Sequence, residues 1–247
     1  MKVKNAIAWK GGAAALGVLG LVIRRMLYAG AYDPVSDLLE ESPLIPALWL
    51  VMLAAAVLAG AVFFRVRNYQ SQADAPSVWA LAGSLILAGG IWVIMRTCDA
   101  PMPGFLGAAW RVLGWTAPVC LEVTGVFRAR RRKTPFLLHL PVCLFLVIHL
   151  INQYQTWSAA SQLTVYVPDM LGCMGLMLFS FYEAARNAGT ENLGMQLATG
   201  LFSVSVCLLC VGWTPYPALY LTGALWALWN LPRPGAPRPV KKEETDS

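Results

Sequence analysis

The chain has 247 residues, of which 57% are hydrophobic and 13% are charged, and its mean hydropathy is +0.57. Soluble domains carry about 25% charged residues, so this chain has too few polar side chains to cover a globule in water. The composition also excludes a disordered chain and a disulfide-rich secreted domain. The formal net charge of +6 has a topological explanation, so we expect no nucleic-acid partner. The expected solvent is the lipid bilayer.

Long apolar segments without strand-like alternation predict helices, because a backbone inside lipid must satisfy its own hydrogen bonds. A helix needs about 20 residues to cross the bilayer core. Eight segments meet this requirement: 6–27, 44–64, 78–95, 104–127, 135–153, 163–185, 193–212 and 215–231. The predicted fold is therefore all-α, a polytopic membrane bundle of about eight transmembrane helices. Residues 1–231 form its single domain, and the Pro-rich, charged residues 232–247 are predicted to be a disordered cytosolic tail.

The first segment has an alternative interpretation as a removable signal peptide. The apolar stretch 13–23 is followed by Ala29-Gly30-Ala31, which has the small residues of a cleavage site. Arg24 and Arg25 lie between the two, where charge is disfavoured, so a retained first helix is the favoured interpretation.

The positive charges alternate between connections and predict the orientation. Lys and Arg in short loops are held on the cytoplasmic side. One set of connections is basic: residues 2–4, 65–67, 128–133, 186 and 233–242. The other set is acidic, mixed or uncharged. Both termini are therefore predicted to lie in the cytosol of a protein spanning the cell membrane.

The chain has no motif for common cofactor or hydrolase chemistry. It contains no P-loop, HExxH, GxSxG or Gly-rich dinucleotide turn, so we expect no catalytic residue, cofactor or metal site, and energy for any transport would come from an ion gradient or a partner. Cys207-Leu-Leu-Cys210, with Cys98 in a nearby loop, has the spacing of a redox motif. The alternative is that these cysteines are small apolar packing residues.

Polar residues at matching depth indicate a candidate site near the outer surface. Inserting a charged side chain at the centre of a transmembrane helix costs at least about 2.5–3.5 kcal/mol of free energy, so the charged residues found there usually face a partner or a water-filled cavity. Arg111, His149 and Asp169 lie at a common outer level, with Arg96 and Asp99 at the rim. One hypothesis is a pocket in which they bind an anionic or zwitterionic solute. The alternatives are an Arg111–Asp169 ion pair that only locks two helices, or no contact between them.

A second polar level is predicted toward the cytosol. Glu122 and His139 lie near the inner ends of neighbouring helices, beside Pro118 and Pro141. A carboxylate, an imidazole and a bent helix are suited to relaying protons or gating a path. The alternative is that Glu122 reaches Arg128 or the lipid headgroups.

These features favour a small-solute transporter, or the solute-binding membrane subunit of a transport system. The second hypothesis is a sensor or assembly subunit, in which the acidic 33–41 loop meets a ligand or protein and the basic loops contact a membrane or cytosolic partner. The third is an intramembrane enzyme that uses Glu122 with His139 or the cysteines.

Overall fold

The computed structural model describes residues 3–33, 38–71, 78–98, 104–130, 132, 134–158 and 165–237. The described chain forms eight α-helices: α1 Val3–Ala31, α2 Leu44–Val66, α3 Val78–Thr97, α4 Phe105–Ala129, α5 Leu140–Trp157, α6 Val167–Asn187, α7 Leu193–Cys210 and α8 Pro217–Asn230. A 3-10 turn, Phe136–His139, precedes α5. The prediction of an all-α bundle with eight helices is confirmed. The largest difference in α1 is its end, which lies at Ala31 rather than at residue 27.

Five of the helical segments are long and apolar enough to cross a membrane. They are α1, α2, α3, α5 with its preceding turn, and α7. Of the other three, α8 has 14 residues, while α4 and α6 carry several charged side chains. The protein is thus a multi-pass membrane protein. Its orientation and its place in the cell membrane stay predictions.

Helix α7 is the centre of the bundle, packing against α1, α2, α6 and α8. Helices α3 and α4 pack against each other, α8 covers α3, and α5 lies between α4 and α6. The main apolar core takes buried side chains from all eight helices. This arrangement buries most of α7, which explains why so many of its polar side chains need partners inside the protein.

Small residues bring α1 close to α7. A Cβ atom added at Gly17 would lie 2.7 Å from the Leu208 Cβ, and one added at Gly20 would lie 2.6 Å from a Leu209 methyl. Small-residue faces of this kind allow close helix packing in membranes. Near the start of the same helix, the Lys10 ammonium donates to the carbonyl oxygens of Leu228 and Leu231 at 3.2 and 3.4 Å. These bonds explain how α1 accommodates a lysine.

Short strands join the connections at the helix ends. β1 (Tyr32–Asp33) and β2 (Leu38–Leu39) pair antiparallel between α1 and α2. β3 (Tyr69–Ser71), after α2, pairs antiparallel with β4 (Pro234–Pro237), after α8. The α2–α3 connection and the segment after α8 therefore lie at the same end of the bundle, as the alternating charges predict.

The pairing of β3 with β4 also concerns the predicted tail. Disorder was expected from residue 232 onward; within this segment Pro234–Pro237 pair with β3, and a disordered tail stays a prediction. Residues 238–247 lie outside the described residues.

Candidate functional site

We call the two halves of the bundle outer and inner after their predicted sides of the membrane. The central feature of the outer half is a buried ion pair between α1 and α6. Arg24 Nη2 lies 2.5 Å from Asp169 Oδ2, and both side chains are 0% exposed. The same nitrogen donates to the Val165 carbonyl at 3.4 Å. Asp169 lies in the first turn of α6, where the helix dipole favours a carboxylate. The pair therefore ties α1 to the beginning of α6.

A chain of hydrogen bonds extends from this pair to α5. The Tyr220 hydroxyl donates to the Asp169 carbonyl at 2.7 Å, and Gln153 Nε2 donates to the Tyr220 hydroxyl at 2.8 Å. Gln153 Nε2 also lies 3.3 Å from His149 Nε2. The adjacent Asn152 is buried as well. We call the following residues the outer polar cluster: Arg24, His149, Asn152, Gln153, Asp169 and Tyr220.

Many polar atoms of the outer polar cluster have no hydrogen-bond partner among the described residues. Seven buried atoms are in this state: Arg24 Nε and Nη1, His149 Nδ1, Asn152 Nδ2 and Oδ1, Gln153 Oε1, and Asp169 Oδ1. Leaving a buried polar atom without a partner costs about 1–3 kcal/mol. Most buried polar atoms in folded proteins are paired, so the concentration of unpaired atoms at one place makes this cluster the candidate site.

Aromatic rings lie between this cluster and the ends of the helices. Tyr28 stacks on Trp213 with ring centroids 4.0 Å apart, and Trp157 stacks on Tyr166 at 4.6 Å. Tyr32 contacts both rings of the first stack. We call these five residues the aromatic cap. The Arg24 guanidinium lies 5.9 Å from the ring centroids of Tyr28 and Trp213, which is a cation–π distance. The aromatic cap therefore contacts the cationic partner of the ion pair.

Of the three alternatives for Arg111 and Asp169, the one without contact between them agrees with the structure. Arg24 pairs with this carboxylate, whereas Arg111 lies on the exposed face of α4. Both hypotheses that joined Arg111 to Asp169, the pocket and the helix lock, therefore require Arg24 in its place. The physical reason is rotation about the helix axis: depth along α4 was predicted, but the direction of the Arg111 side chain was not.

The other predicted outer residues divide into two groups. His149 and Asp169 belong to one connected cluster, as expected from their common depth. Arg96 is exposed at the end of α3, and Asp99 lies outside the described residues.

Arg24 was not among the predicted site residues, although the sequence contains a signal for its position. Residues 13, 17, 20, 24 and 27 recur at helical spacing, and the first three are small residues. All five are buried on one face of α1. That spacing places Arg24 on the packed face of the helix.

A second buried cluster lies in the inner half of the bundle around Glu183, which is 0% exposed. Arg128 forms an ion pair with Glu183, and Gln196 Nε2 donates to Glu183 Oε1 at 2.5 Å. Arg128 also donates to Asn230 Oδ1 at 2.5 Å. We call these four residues the inner polar cluster. Because they come from α4, α6, α7 and α8, they hold together the inner ends of four helices.

The predicted pair of Glu122 and His139 is not formed. The side chain of buried His139 forms a hydrogen bond with Asn187, and its Nε2 lies 2.8 Å from Asn187 Nδ2. Glu122 is half-buried and makes no hydrogen bond or ion pair with His139 within the described chain. Arg128, which was the alternative partner of Glu122, forms its ion pair with Glu183 instead. The buried carboxylate at this level is thus Glu183 rather than Glu122.

Polar contacts continue along the α5–α6 interface between the two clusters. Cys143 Sγ lies 3.3 Å from Ser180 Oγ, and Cys173 Sγ donates to the Leu146 carbonyl at 3.4 Å.

Asp169 and Glu183 are 14 positions apart on α6, or about 21 Å at 1.5 Å per residue. Buried Leu176 and Phe179 lie between them on the same helix, so an apolar layer separates the clusters.

The cysteine motif packs against α6. All six cysteines are free. The buried thiols of Cys207 and Cys210 donate to the carbonyls of Gly172 and Pro168 at 3.6 and 3.2 Å. In the part of the chain that the structure describes, no group of three His, Cys, Asp or Glu side chains is arranged to hold a metal ion.

Comparison with known proteins finds no family model, no curated protein and no solved structure that matches the chain.

Proposed function

We propose that this protein is a small-solute transporter, or the solute-binding membrane subunit of a transport system, and that the solute binds in the outer polar cluster. The observation that carries the proposal is the set of seven unpartnered polar atoms at the junction of α1, α5 and α6. A solute with donors and acceptors would satisfy these atoms. Water alone is the competing occupant, and the experiment below separates the two.

A purely structural role explains the cluster less well. A buried ion pair contributes little net stability compared with apolar residues of the same volume. Asn152 adds a further cost, because both polar atoms of its amide are buried without a partner. An apolar residue at this position would avoid the cost, so a binding role is the better reason for an asparagine there.

The arrangement of the two polar clusters and the aromatic cap also suits a transport path for the solute that opens to one side of the membrane at a time. The aromatic cap closes the outer polar cluster at one end, and the inner polar cluster joins four helices at the other. Alternating access needs a central site with a closure on each side. Helix α6 carries Asp169 and Glu183, one carboxylate from each cluster, so a movement of α6 would affect both closures together.

The test is ligand-dependent thermal stabilisation of the purified protein. The panel contains amino acids, carboxylates, amines, polyols and vitamins. We expect one class to raise the Tm of the wild type, because a ligand that binds only the folded state stabilises it. In Asn152→Leu the unliganded protein should be as stable as wild type or more stable, since an unsatisfied amide is removed, and the ligand response should be lost.

Arg111→Ala is the matched control, since Arg111 is exposed on α4 and should keep the full ligand response. An equal response in wild type and Asn152→Leu would show that the solute binds elsewhere. A panel without any stabilising compound would contradict solute binding.

A further inference from the structure

We infer that the solute is a zwitterion with no net charge, such as an α-amino acid. This inference rests on the proposed function and specifies the chemical class that the outer polar cluster accepts.

The first argument is the charge balance of the cluster. Arg24 and Asp169 carry opposite charges and lie in direct contact, with both side chains 0% exposed. Asn152, Gln153 and Tyr220 are uncharged. His149 is 0% exposed and contacts Gln153, Phe145 and Tyr216, none of which is acidic, so a buried charge on its ring would have no countercharge there and the neutral form is favoured. The next charged residue on α1, Arg25, is exposed. A solute with a net charge would leave an uncompensated charge in a buried region, which is strongly unfavourable. A neutral solute avoids this penalty.

The second argument is the arrangement of the unpartnered atoms. Arg24 offers two free donors, Nε and Nη1, which suit a carboxylate. Gln153 Oε1 and Asn152 Oδ1 offer acceptors, which suit an ammonium group. Asp169 Oδ1 adds a third acceptor on a carboxylate that also interacts with the Thr214 side chain. The donors and the acceptors belong to the two partners of the ion pair and to the neighbouring α5 amides. A solute with both charges would engage each partner on its free side, whereas an uncharged polyol would form hydrogen bonds without the ionic contribution.

The test compares solutes of matched shape on the wild-type protein in detergent. The probes are alanine, leucine and glutamine, each with the carboxylate that lacks its amino group, the amine that lacks its carboxyl group, and its hydroxy-amide analogue without either charge. We expect at least one amino acid to bind at least tenfold more tightly than its three analogues, measured by calorimetry and by the shift in Tm.

Charge variants provide a second readout. Asp169→Asn gives the cluster a net positive charge, so the preference should move to the carboxylate probe. Arg24→Gln gives it a net negative charge and should move the preference to the amine. The double variant Arg24→Gln/Asp169→Asn restores neutrality and should favour neither charged probe. It keeps the test valid if a single variant fails to fold, because its buried site holds no unpaired charge.

The outcomes separate this inference from the proposed function. If a carboxylate, an amine or a hydroxy-amide binds as tightly as the amino acid and Asn152→Leu removes that binding, the solute class is wrong while the site stands. If binding is unchanged in Asn152→Leu, the proposed site fails as well. If none of the amino acids binds, the inference is overturned.

Discussion

Removal of Arg24 is the sharpest test of the outer half of the fold. In Arg24→Leu the Asp169 carboxylate stays buried at 0% exposure without its countercharge. Breaking a buried ion pair by removing one partner costs about 3–5 kcal/mol. The hydrogen bond from Arg24 to the Val165 carbonyl is lost too, but a single bond of this kind adds only about 0.5–1.5 kcal/mol. We therefore expect the free energy of unfolding to fall by about 3–5 kcal/mol.

The double variant distinguishes an ion pair from two independent contacts. Asp169→Leu alone should cost about as much as Arg24→Leu, because it leaves the guanidinium buried and unpaired. Arg24→Leu/Asp169→Leu replaces the pair by apolar side chains, an exchange that is often neutral or stabilising. Its loss should be smaller than the sum of the single losses by roughly 3 kcal/mol or more.

The assay is unfolding in mixed micelles with increasing denaturing detergent, followed by tryptophan fluorescence. Trp213 lies 4.0 Å from Tyr28 in the aromatic cap and reports on this region. Arg111→Leu is the control, since substitutions at exposed positions usually change stability by less than about 0.5 kcal/mol. The reasoning is refuted if Arg24→Leu costs no more than this control, or if the single losses simply add in the double variant.

Three further predictions concern packing, the inner polar cluster and topology. Gly17→Ala should destabilise the protein by about 1–3 kcal/mol through overpacking. Gly11→Ala should not, because a Cβ at Gly11 meets nothing within 4 Å. The same unfolding assay compares the two variants, and equal losses of stability would contradict the α1–α7 packing. Glu183→Gln should cost about 3 kcal/mol, the lower end for breaking a buried ion pair, because Arg128 loses its countercharge but is 11% exposed and keeps its bond to Asn230. Glu122→Gln should be near neutral by the same measurement, and the reverse order would contradict the assigned inner carboxylate. Reporter tags in the α2–α3 connection and after α8 should be found on the same, cytosolic side, and tags on opposite sides would exclude the β3–β4 pairing.

The helices themselves were largely predictable, because their signals are local. Apolar length predicted 44–64 and 78–95, and the structure has Leu44–Val66 and Val78–Thr97. The errors lie at the ends. The first helix ends at Ala31, four residues beyond the predicted end, and is followed directly by β1 at Tyr32. The hydropathy pattern contains no information about the strand pairing that begins there.

The candidate site was only half predictable. Depth along each helix placed His149 and Asp169 at one level, and the structure connects them through Gln153 and Tyr220. Depth does not specify which way a side chain points, so Arg111 was chosen where Arg24 is the partner. The inner level shows the same effect, since Glu122 was chosen where Glu183 is the buried carboxylate.

The sequence by itself determined that this chain is a helical membrane bundle, where its helices lie and which polar residues share a depth, because these properties depend on composition and on a rise of about 1.5 Å per residue. Only the tertiary structure decided the partners of Asp169 and Glu183. Partner choice depends on the rotation of each helix about its axis, and that rotation is set by close packing with neighbours, as at Gly17 and Gly20 against α7.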